Sequence, residues 1–222
     1  MNFLFLPGMD GTGKLFQPIL EIIPSEHSVI VCPLVQKVGF SYNQQAIEIN
    51  RTLKDKVIVL AESYSGMIAL ELAQIAPEKI QSIIFVASFL SPPSKISKLG
   101  HLVPKILLTP AKNPNVLMLK FLFGKYLTST LATLFQKTMD LIDIDVMQFR
   151  LKQIAKIKPI SFSCNIPALY LVATSDNLVS KEVIKNVNSI FTQLNVEKVD
   201  GTHFLLQTNP KASWRAMQQH VT

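Results

Sequence analysis

The chain has 222 residues, 48% of them hydrophobic, and its mean hydropathy is +0.30. This composition predicts a well-packed domain and argues against a disordered chain. No apolar stretch reaches the roughly 18 residues that a membrane-spanning helix needs, and the N-terminus lacks the pattern of a signal peptide. Two cysteines, Cys32 and Cys164, have no spacing typical of a disulfide framework or a metal site, so we expect buried thiols in a cytoplasmic protein.

Positive charge is concentrated in one part of the chain. The net charge is +7, and residues 91–160 hold eleven Lys and Arg against three acids, so the remainder is close to neutral. A basic segment of this kind is commonly a solvated face, and it can also meet an acidic partner. Aromatic residues are not interleaved with the basic ones as in nucleic-acid readers, so we expect no nucleic-acid partner.

Strand and helix patterns alternate along the first ninety residues. The strand runs are nearly continuous in apolar residues, which is typical of a parallel sheet covered by helices on both faces. This pattern predicts the α/β class. The predicted strands are 2–6, 28–34, 57–62 and 80–88, and the predicted helices are 15–23, 41–53 and 66–76.

The alternation stops at Ser91-Pro92-Pro93, and no convincing strand follows until the sheet resumes near residue 167. An insertion of this length after a strand is most simply a cap over the carboxyl ends of the strands. We therefore predict a core of residues 1–90 and 160–222 and a helical cap of residues 91–159. The alternative is a helical extension of the core. Predicted cap helices are 102–108, 116–123, 127–141 and 146–157, followed by strands 167–174 and 196–199 and helices 179–191 and 204–220.

A serine stands between the central strand and its helix. Ser63 follows the run Val57-Ile58-Val59-Leu60-Ala61-Glu62, and small residues flank it at Ala61, Ser65 and Gly66. A sharp strand-to-helix turn with small neighbours is what a nucleophile elbow requires, because the serine backbone is strained there. The alternative is that Ser63 caps the helix. Ser65 fits the nucleophile position less well, because Met67 is bulky where a small residue is needed.

A glycine-rich loop follows the first strand and has two interpretations. Gly8, Gly13 and Lys14 match the spacing of a phosphate-binding loop, but Leu15 stands where that motif needs Ser or Thr to hold magnesium. The other interpretation is an oxyanion loop, in which glycines let the backbone turn tightly and direct an N–H group into the site. The amide of Met9 is then the one that matters.

Three polar residues each follow a predicted strand, so we expect them at one edge of the sheet. Ser63, Asp176 and His203 occur in the chain order of an α/β-hydrolase triad. Serine is a weak nucleophile until a base takes its proton, histidine can do so at neutral pH, and a carboxylate orients the histidine. Asp200 is a competing acid. We expect the amides of Met9 and Tyr64 to bind the oxyanion.

Four segments carry a resemblance that extends from the first strand to the last helix. The chain resembles a small bacterial α/β-hydrolase of the serine esterase or thioesterase type in these segments: Leu6-Pro7-Gly8-Met9-Asp10-Gly11-Thr12-Gly13, Ala61-Glu62-Ser63-Tyr64-Ser65-Gly66, Ser175-Asp176-Asn177-Leu178-Val179 and Thr202-His203-Phe204-Leu205-Leu206-Gln207. The resemblance implies a helical cap over residues 91–159. The chain departs from the family in lacking the leading antiparallel strands and in having Pro7-Gly8 where His-Gly is frequent.

The sequence therefore predicts a serine hydrolase of carboxylic esters or thioesters that works through an acyl-enzyme and needs no cofactor or metal. The apolar cap predicts a hydrophobic acyl group, and its charge predicts an acidic carrier protein, coenzyme A or an anionic membrane surface as partner. Three alternatives stay open: an acyltransferase with the same triad, a nucleotide-binding protein of the P-loop type, and a catalytically silent binding module.

Overall fold

The computed structural model describes residues 1–93 and 114–221, and within these ranges a six-stranded parallel sheet forms the centre of the protein. The strands lie in the spatial order β2-β1-β3-β4-β5-β6 and all pair in parallel. This confirms the predicted α/β class. In chain order the strands are β1 (Asn2–Leu6), β2 (Ser28–Val31), β3 (Val57–Glu62), β4 (Ile80–Val86), β5 (Ala168–Ser175) and β6 (Leu194–Thr202).

The helices follow the predicted order, with differences at their ends. In the described part of the chain they are α1 (Gln17–Leu20), α2 (Tyr42–Thr52), α3 (Gly66–Ile75), α4 (Val116–Phe123), α5 (Ser129–Asp140), α6 (Ile144–Ala155), α7 (Val183–Ile190), α8 (Leu205–Thr208) and α9 (Pro210–Val221). The predicted helix at 102–108 lies outside the described residues. None of the helices within 1–93 and 114–221 has the length and apolar character needed to cross a membrane.

Two strands differ from their predicted lengths for identifiable reasons. β2 ends at Val31 instead of residue 34, because Pro33 has no N–H group to continue the ladder. β6 has nine residues where four were predicted. It is an edge strand with many exposed polar residues, so its hydrophobic pattern is weak over most of its length.

The sheet is buried on both faces. β3 shows this most clearly, since every one of its residues is buried. Val57 and Val59 pack in the cluster beneath α2, α3 and α7, whereas Ile58 and Leu60 pack in the opposite cluster beneath α1, α8 and α9. Successive side chains of a strand therefore pack into two apolar layers, one on each face of the sheet, as a near-continuous hydrophobic strand predicts.

A third apolar cluster joins helices α4 to α6 to the carboxyl ends of the strands. Its core is made of Leu122, Phe123, Leu131, Phe135, Met139 and Met147, and it contacts the sheet domain through Leu15 and Phe204. These helices lie where a cap over the strand ends is expected. The division of the chain into a core and a cap at residues 91–159 stays a prediction.

Polar side chains define where the helices begin. Ser41 and Gln44 form a capping box at the start of α2, in which each side chain accepts the other's backbone N–H. Asn115, Thr128 and Asp143 accept backbone N–H groups at the starts of α4, α5 and α6. A cap of this kind typically stabilises a helix by about 1 kcal/mol, so the sequence itself specifies the three helices over the strand ends.

Candidate active site

Ser63 occupies a strained position directly after β3. Its φ is +49°, a conformation that L-residues with a side chain rarely adopt. The surrounding contacts hold it there: the hydroxyl of Ser88 donates to the carbonyl of Ser63 at 2.6 Å, and the hydroxyl of Ser65 donates to the carbonyl of Pro7. A Cβ on Gly66 would lie 2.1 Å from the Ser88 hydroxyl, which explains the need for glycine after the turn.

The side chains of Ser63, His203 and Asp176 meet in one hydrogen-bonded array. His203 Nε2 lies 2.9 Å from Ser63 Oγ, and His203 Nδ1 lies 2.9 Å from Asp176 Oδ2. An ionised carboxylate can only accept, so Nδ1 carries the ring proton and Nε2 is left to accept the proton of the serine hydroxyl. The Ser63 hydroxyl therefore faces a base, and neither the short helix at residues 63–65 nor α3 has a side-chain cap at its start.

Asp176 is held as an acceptor by several donors. Its side chain is only 6% exposed, and Oδ1 accepts the N–H groups of Leu178 and Val179 at 2.8 and 2.9 Å. Burial alone would raise the pKa of this carboxyl, but the charge and hydrogen bond of His203 and the two backbone donors hold its pKa below the usual value. The carboxylate stays ionised next to the imidazole.

Asp200, the competing acid, is engaged elsewhere. Its carboxylate accepts from Thr174 Oγ1 at 2.9 Å, from the Tyr126 hydroxyl, and from Lys125 Nζ at 3.1 Å. The hydrogen bonds from Tyr126, Lys125 and Thr174 lower the pKa of Asp200 to about 2. The structure thus brings Asp176 to His203, whereas Asp200 joins β5, β6 and the turn after α4.

The glycine-rich loop runs beside the serine. A Cβ built on Gly8 would lie 3.6 Å from Ser63 Cβ, and Met9 lines the same cavity as Ser63. Inside the loop, Asp10 Oδ2 accepts the backbone N–H of Thr12 at 2.8 Å, which places a negative charge where a phosphate-binding loop would receive its anion. This arrangement favours the oxyanion interpretation of the loop over the phosphate interpretation.

Helices α4 to α6 enclose an apolar cavity above Ser63. The cavity has a volume of about 440 Å³, within the usual range for a small-molecule site. Ser63, His203, Met9 and Glu62 lie at one side of it. The wall contributed by the helices is made of Met118, Leu122, Phe135, Met139, Met147, Leu151 and Ile154.

A buried acid that was not predicted as a site residue lies next to the serine. Glu62 is 3% exposed, and its Oε1 accepts from Gln207 Nε2 at 3.0 Å. Burial, followed by the nearby charge of Asp10, raises the pKa of Glu62 to about 7, against the lowering effects of Gln207, His203 and the Gly8 amide. An acid at the end of an otherwise apolar strand was the available signal for this site.

A buried arginine was also missed. Arg150 was counted as one of the positive charges of the predicted cap, yet it is 1% exposed. Its Nη1 donates to the carbonyl of Met9 at 2.8 Å and its Nη2 to the carbonyl of Val35 at 3.2 Å. These partners lie more than a hundred residues away in sequence, so local patterns could not reveal the contact.

The raised pKa of Glu62 makes a prediction about stability. The folded protein keeps the Glu62 proton to a higher pH than the unfolded chain does, so this group's stabilising contribution is present below its ordinary pKa of 4.5 and is lost as the pH rises through about 7. Glu62→Gln mimics the protonated acid. Relative to wild type, it should change the free energy of unfolding little at pH 5 and raise it by about 1–3 kcal/mol at pH 8.5.

Urea titrations at the two pH values measure this difference. Glu78→Gln is the matched control, because Glu78 is exposed, and its effect should not change with pH. Equal effects of Glu62→Gln at pH 5 and pH 8.5 would contradict the assignment.

Comparisons with known proteins agree with this architecture. A family model described as alpha/beta hydrolase fold matches residues 41–140. A search of curated proteins found no match. Each of the following solved structures aligns with 99% of this chain. An esterase from Thermogutta terrifontis is 15% identical, is covered over 88% of its length and has a TM-score of 0.78. A hydrolase from Pseudomonas aeruginosa is 11% identical, is covered over 89% of its length and has a TM-score of 0.83. An epoxide hydrolase from Bacillus megaterium is 11% identical, is covered over 93% of its length and has a TM-score of 0.80.

At these identities the solved structures establish the fold and leave the reaction open. The parallel sheet, the strained serine after β3 and the family match lead to one structural conclusion. The chain is a small protein of the alpha/beta hydrolase fold.

Proposed function

We propose that the protein is a serine hydrolase that cleaves a carboxylic ester or thioester with a hydrophobic acyl group. The observation that carries the proposal is the array of Ser63, His203 and Asp176, with 2.9 Å between the serine oxygen and Nε2 and 2.9 Å between Nδ1 and the carboxylate. A strained serine, a base within hydrogen-bonding reach and an acid that orients the base are together the requirements for a serine nucleophile.

The reaction would proceed in two halves. In the first, Ser63 Oγ attacks the acyl carbon while His203 Nε2 takes its proton, and the proton then passes to the departing alcohol or thiol. The acyl group is left on Ser63 as an ester. In the second half, water gives a proton to His203 and attacks that ester, the carboxylic acid leaves, and the proton returns to Ser63. Asp176 stabilises the imidazolium in both halves and stays ionised.

Backbone amides would stabilise the negative oxygen that forms in each half. The candidates are Tyr64, directly after the nucleophile, and Met9, in the loop that passes beside Ser63. Fixed donors aimed at a developing charge are effective because they need no reorganisation during the reaction. The two residues follow different strands, so the fold has to hold the two loops at a fixed position relative to each other.

The apolar cavity supports a hydrophobic acyl group as substrate. Its wall on helices α4 to α6 contains no charged side chain among the described lining residues, and methionines at three positions give it an adaptable shape. Burial of a flexible acyl chain against this wall would contribute about 0.8 kcal/mol of binding free energy per methylene group removed from water. The polar end of the substrate would face Ser63 and His203.

The remaining alternatives differ in what they explain. An acyltransferase would use the same residues and deliver the acyl group to an acceptor other than water, so product analysis separates it from a hydrolase. A nucleotide-binding protein leaves the contact between His203 and Ser63 without a role, and Asp10 opposes phosphate in the loop. A silent binding module predicts no turnover that depends on Ser63.

Exposed lysines on the helices above the site support a negatively charged leaving group or partner. Lys120 on α4 and Lys152 on α6 are exposed. Met118 and Leu122, two positions to either side of Lys120, line the cavity, as does Leu151 next to Lys152. An acidic carrier protein, coenzyme A or an anionic membrane surface has the complementary charge. Both cysteines are free, which fits the reducing cytoplasm as the location.

Replacing members of the array should separate catalysis from binding. We expect Ser63→Ala to lower turnover of a short-chain p-nitrophenyl ester by at least about 10⁴-fold and to abolish labelling by a fluorophosphonate, and Asp176→Asn to lower turnover by roughly 10³–10⁴-fold. Ser189→Ala on α7 is the control, because that serine is exposed and does not line the cavity. Unchanged turnover in Ser63→Ala would remove the proposal.

The cavity wall predicts a limit on acyl length that a single substitution should shift. Met139 is 5% exposed and lines the cavity, so Met139→Trp should fill it and reduce kcat/KM for long-chain esters at least tenfold while sparing acetate and propionate esters. Leu141→Trp is the control, because Leu141 is 60% exposed. A series of p-nitrophenyl esters measures the profile, and a parallel decline at all lengths would place the acyl chain elsewhere.

Charge reversal tests the basic surface. The double variant Lys120→Glu and Lys152→Glu should lower kcat/KM for an acyl-coenzyme A at least fivefold, with most of the loss disappearing in high salt, and should leave a neutral ester of the same acyl group unchanged. Lys211→Glu on α9 is the control, since it changes the net charge away from the cavity. Equal effects on both substrates would show that this surface does not recognise the anion.

A further inference from the structure

Arg150 on α6 places a guanidinium deep inside the protein. Within residues 1–93 and 114–221 it is the largest fully buried side chain, and no carboxylate in these ranges forms an ion pair with it. Burying a charge is unfavourable unless hydrogen bonds replace the lost water. Arg150 therefore needs well-placed hydrogen-bond acceptors around its guanidinium, and the identity of those acceptors indicates the role of the residue.

The guanidinium contacts both residues that are candidates for the oxyanion site. Nη1 donates to the carbonyl of Met9 at 2.8 Å, and the guanidinium carbon lies 5.7 Å from the centre of the Tyr64 ring. The third contact is the bond from Nη2 to the carbonyl of Val35 at 3.2 Å, in the segment after β2. One side chain thus joins the glycine-rich loop, the residue after the nucleophile and the segment after β2.

The glycine-rich loop is shaped to admit this group. Gly11 has a φ of +68°, and a Cβ built there would lie 2.4 Å from Arg150 Nη1. The N–H of Gly11 donates to the carbonyl of Gly8 at 3.0 Å, and the carbonyl of Gly11 accepts from Leu34 at 2.8 Å. The loop therefore folds around the guanidinium, and the peptide groups on both sides of Met9 have hydrogen-bonded carbonyls.

We propose that Arg150 is a positioning residue that holds Met9 and Tyr64 so that their amides meet the oxyanion. This inference rests on the proposed hydrolase function. Arg150 does not line the cavity, so it acts through these two residues and has no contact with substrate. The Met9 N–H belongs to the preceding peptide group, whose carbonyl on Gly8 accepts from Gly11. The charge-assisted bond from Arg150 fixes the peptide group that follows, so Met9 is held on both sides, and packing against the Tyr64 ring fixes the residue beside Ser63.

The shape of the side chain matters as well as its charge. A guanidinium presents several N–H groups in a rigid plane, so it can donate to two separate carbonyls while its face contacts an aromatic ring. A lysine ammonium has the charge but not this geometry. Arg150 also lies on the helix whose Leu151 and Ile154 line the cavity, so one of the helices that would contact the acyl chain also holds the loop.

Kinetics with a transition-state analogue tests the positioning role. With a short neutral ester, Arg150→Met should lower kcat by about 10²-fold, the size expected for loss of an aligned oxyanion donor, and leave KM within threefold. The affinity for a trifluoromethyl ketone, which forms a tetrahedral oxyanion on serine, should fall by the same factor as kcat/KM. Arg150→Lys should recover less than a tenth of the kcat that is lost in Arg150→Met. Guanidinium ion at millimolar concentration should partly restore the kcat of Arg150→Ala.

Two controls separate positioning from loss of stability. Arg215→Met makes the same substitution at an exposed arginine of α9 and should leave kcat unchanged. Met217→Ala in α9 creates a cavity in the core on the opposite side of the sheet, and it should lower the unfolding midpoint without changing kcat or analogue affinity at 25 °C. If Met217→Ala and Arg150→Met have the same unfolding midpoint and lose the same amount of kcat, the loss in Arg150→Met would be explained by reduced stability alone.

The possible results are distinguishable. If wild-type protein has no turnover that depends on Ser63, the proposed function fails. If wild-type protein is active and Arg150→Met, folded by circular dichroism, keeps kcat and analogue affinity within twofold, the positioning role alone is overturned. Full recovery of kcat in Arg150→Lys would also overturn it, because charge without the planar geometry would then suffice. If Arg150→Met does not fold, Arg150→Lys and the guanidinium rescue decide the matter.

Discussion

The contact between His203 and Ser63 depends on the parallel direction of three strands. β3, β5 and β6 each end immediately before a member of the array, and parallel pairing brings these ends to one edge of the sheet. The strained φ of Ser63 then turns its hydroxyl toward the imidazole, and Ser88 and Gly66 provide the bond and the space that keep it strained. Strain of about 1–3 kcal/mol persists only where its surroundings fix it in this way.

Much of this arrangement could be predicted because it depends on local chemistry. β3 is apolar at every position until Glu62, so its burial on both faces follows from sequence, and the small residues after it mark the turn. Ser63, Asp176 and His203 were expected at one edge from strand order alone, and the structure places them within hydrogen-bonding distance. The helices with clear polar caps, such as α2 and α4, were also predicted closely.

What could not be predicted depends on contacts between distant segments. Arg150 resembled a surface charge, because nothing near it in sequence reveals that the glycine-rich loop would supply its acceptors. The pairing of Glu62 with Gln207 joins residues 145 positions apart. Edge strand β6 was predicted too short, since its exposed polar residues hide the strand pattern. The strand pattern and the residues directly after each strand therefore predicted the array. The residues that support the array could be identified only from the tertiary structure.

The most direct measurement is the mass of a trapped acyl-enzyme. A p-nitrophenyl ester mixed rapidly with the protein and quenched in acid within milliseconds should leave one acyl group, which peptide mapping should locate on Ser63. In His203→Ala this adduct should not accumulate, since no base activates the hydroxyl. An acyl group on another residue, or steady ester turnover with Ser63 unmodified at every time point, would contradict the account.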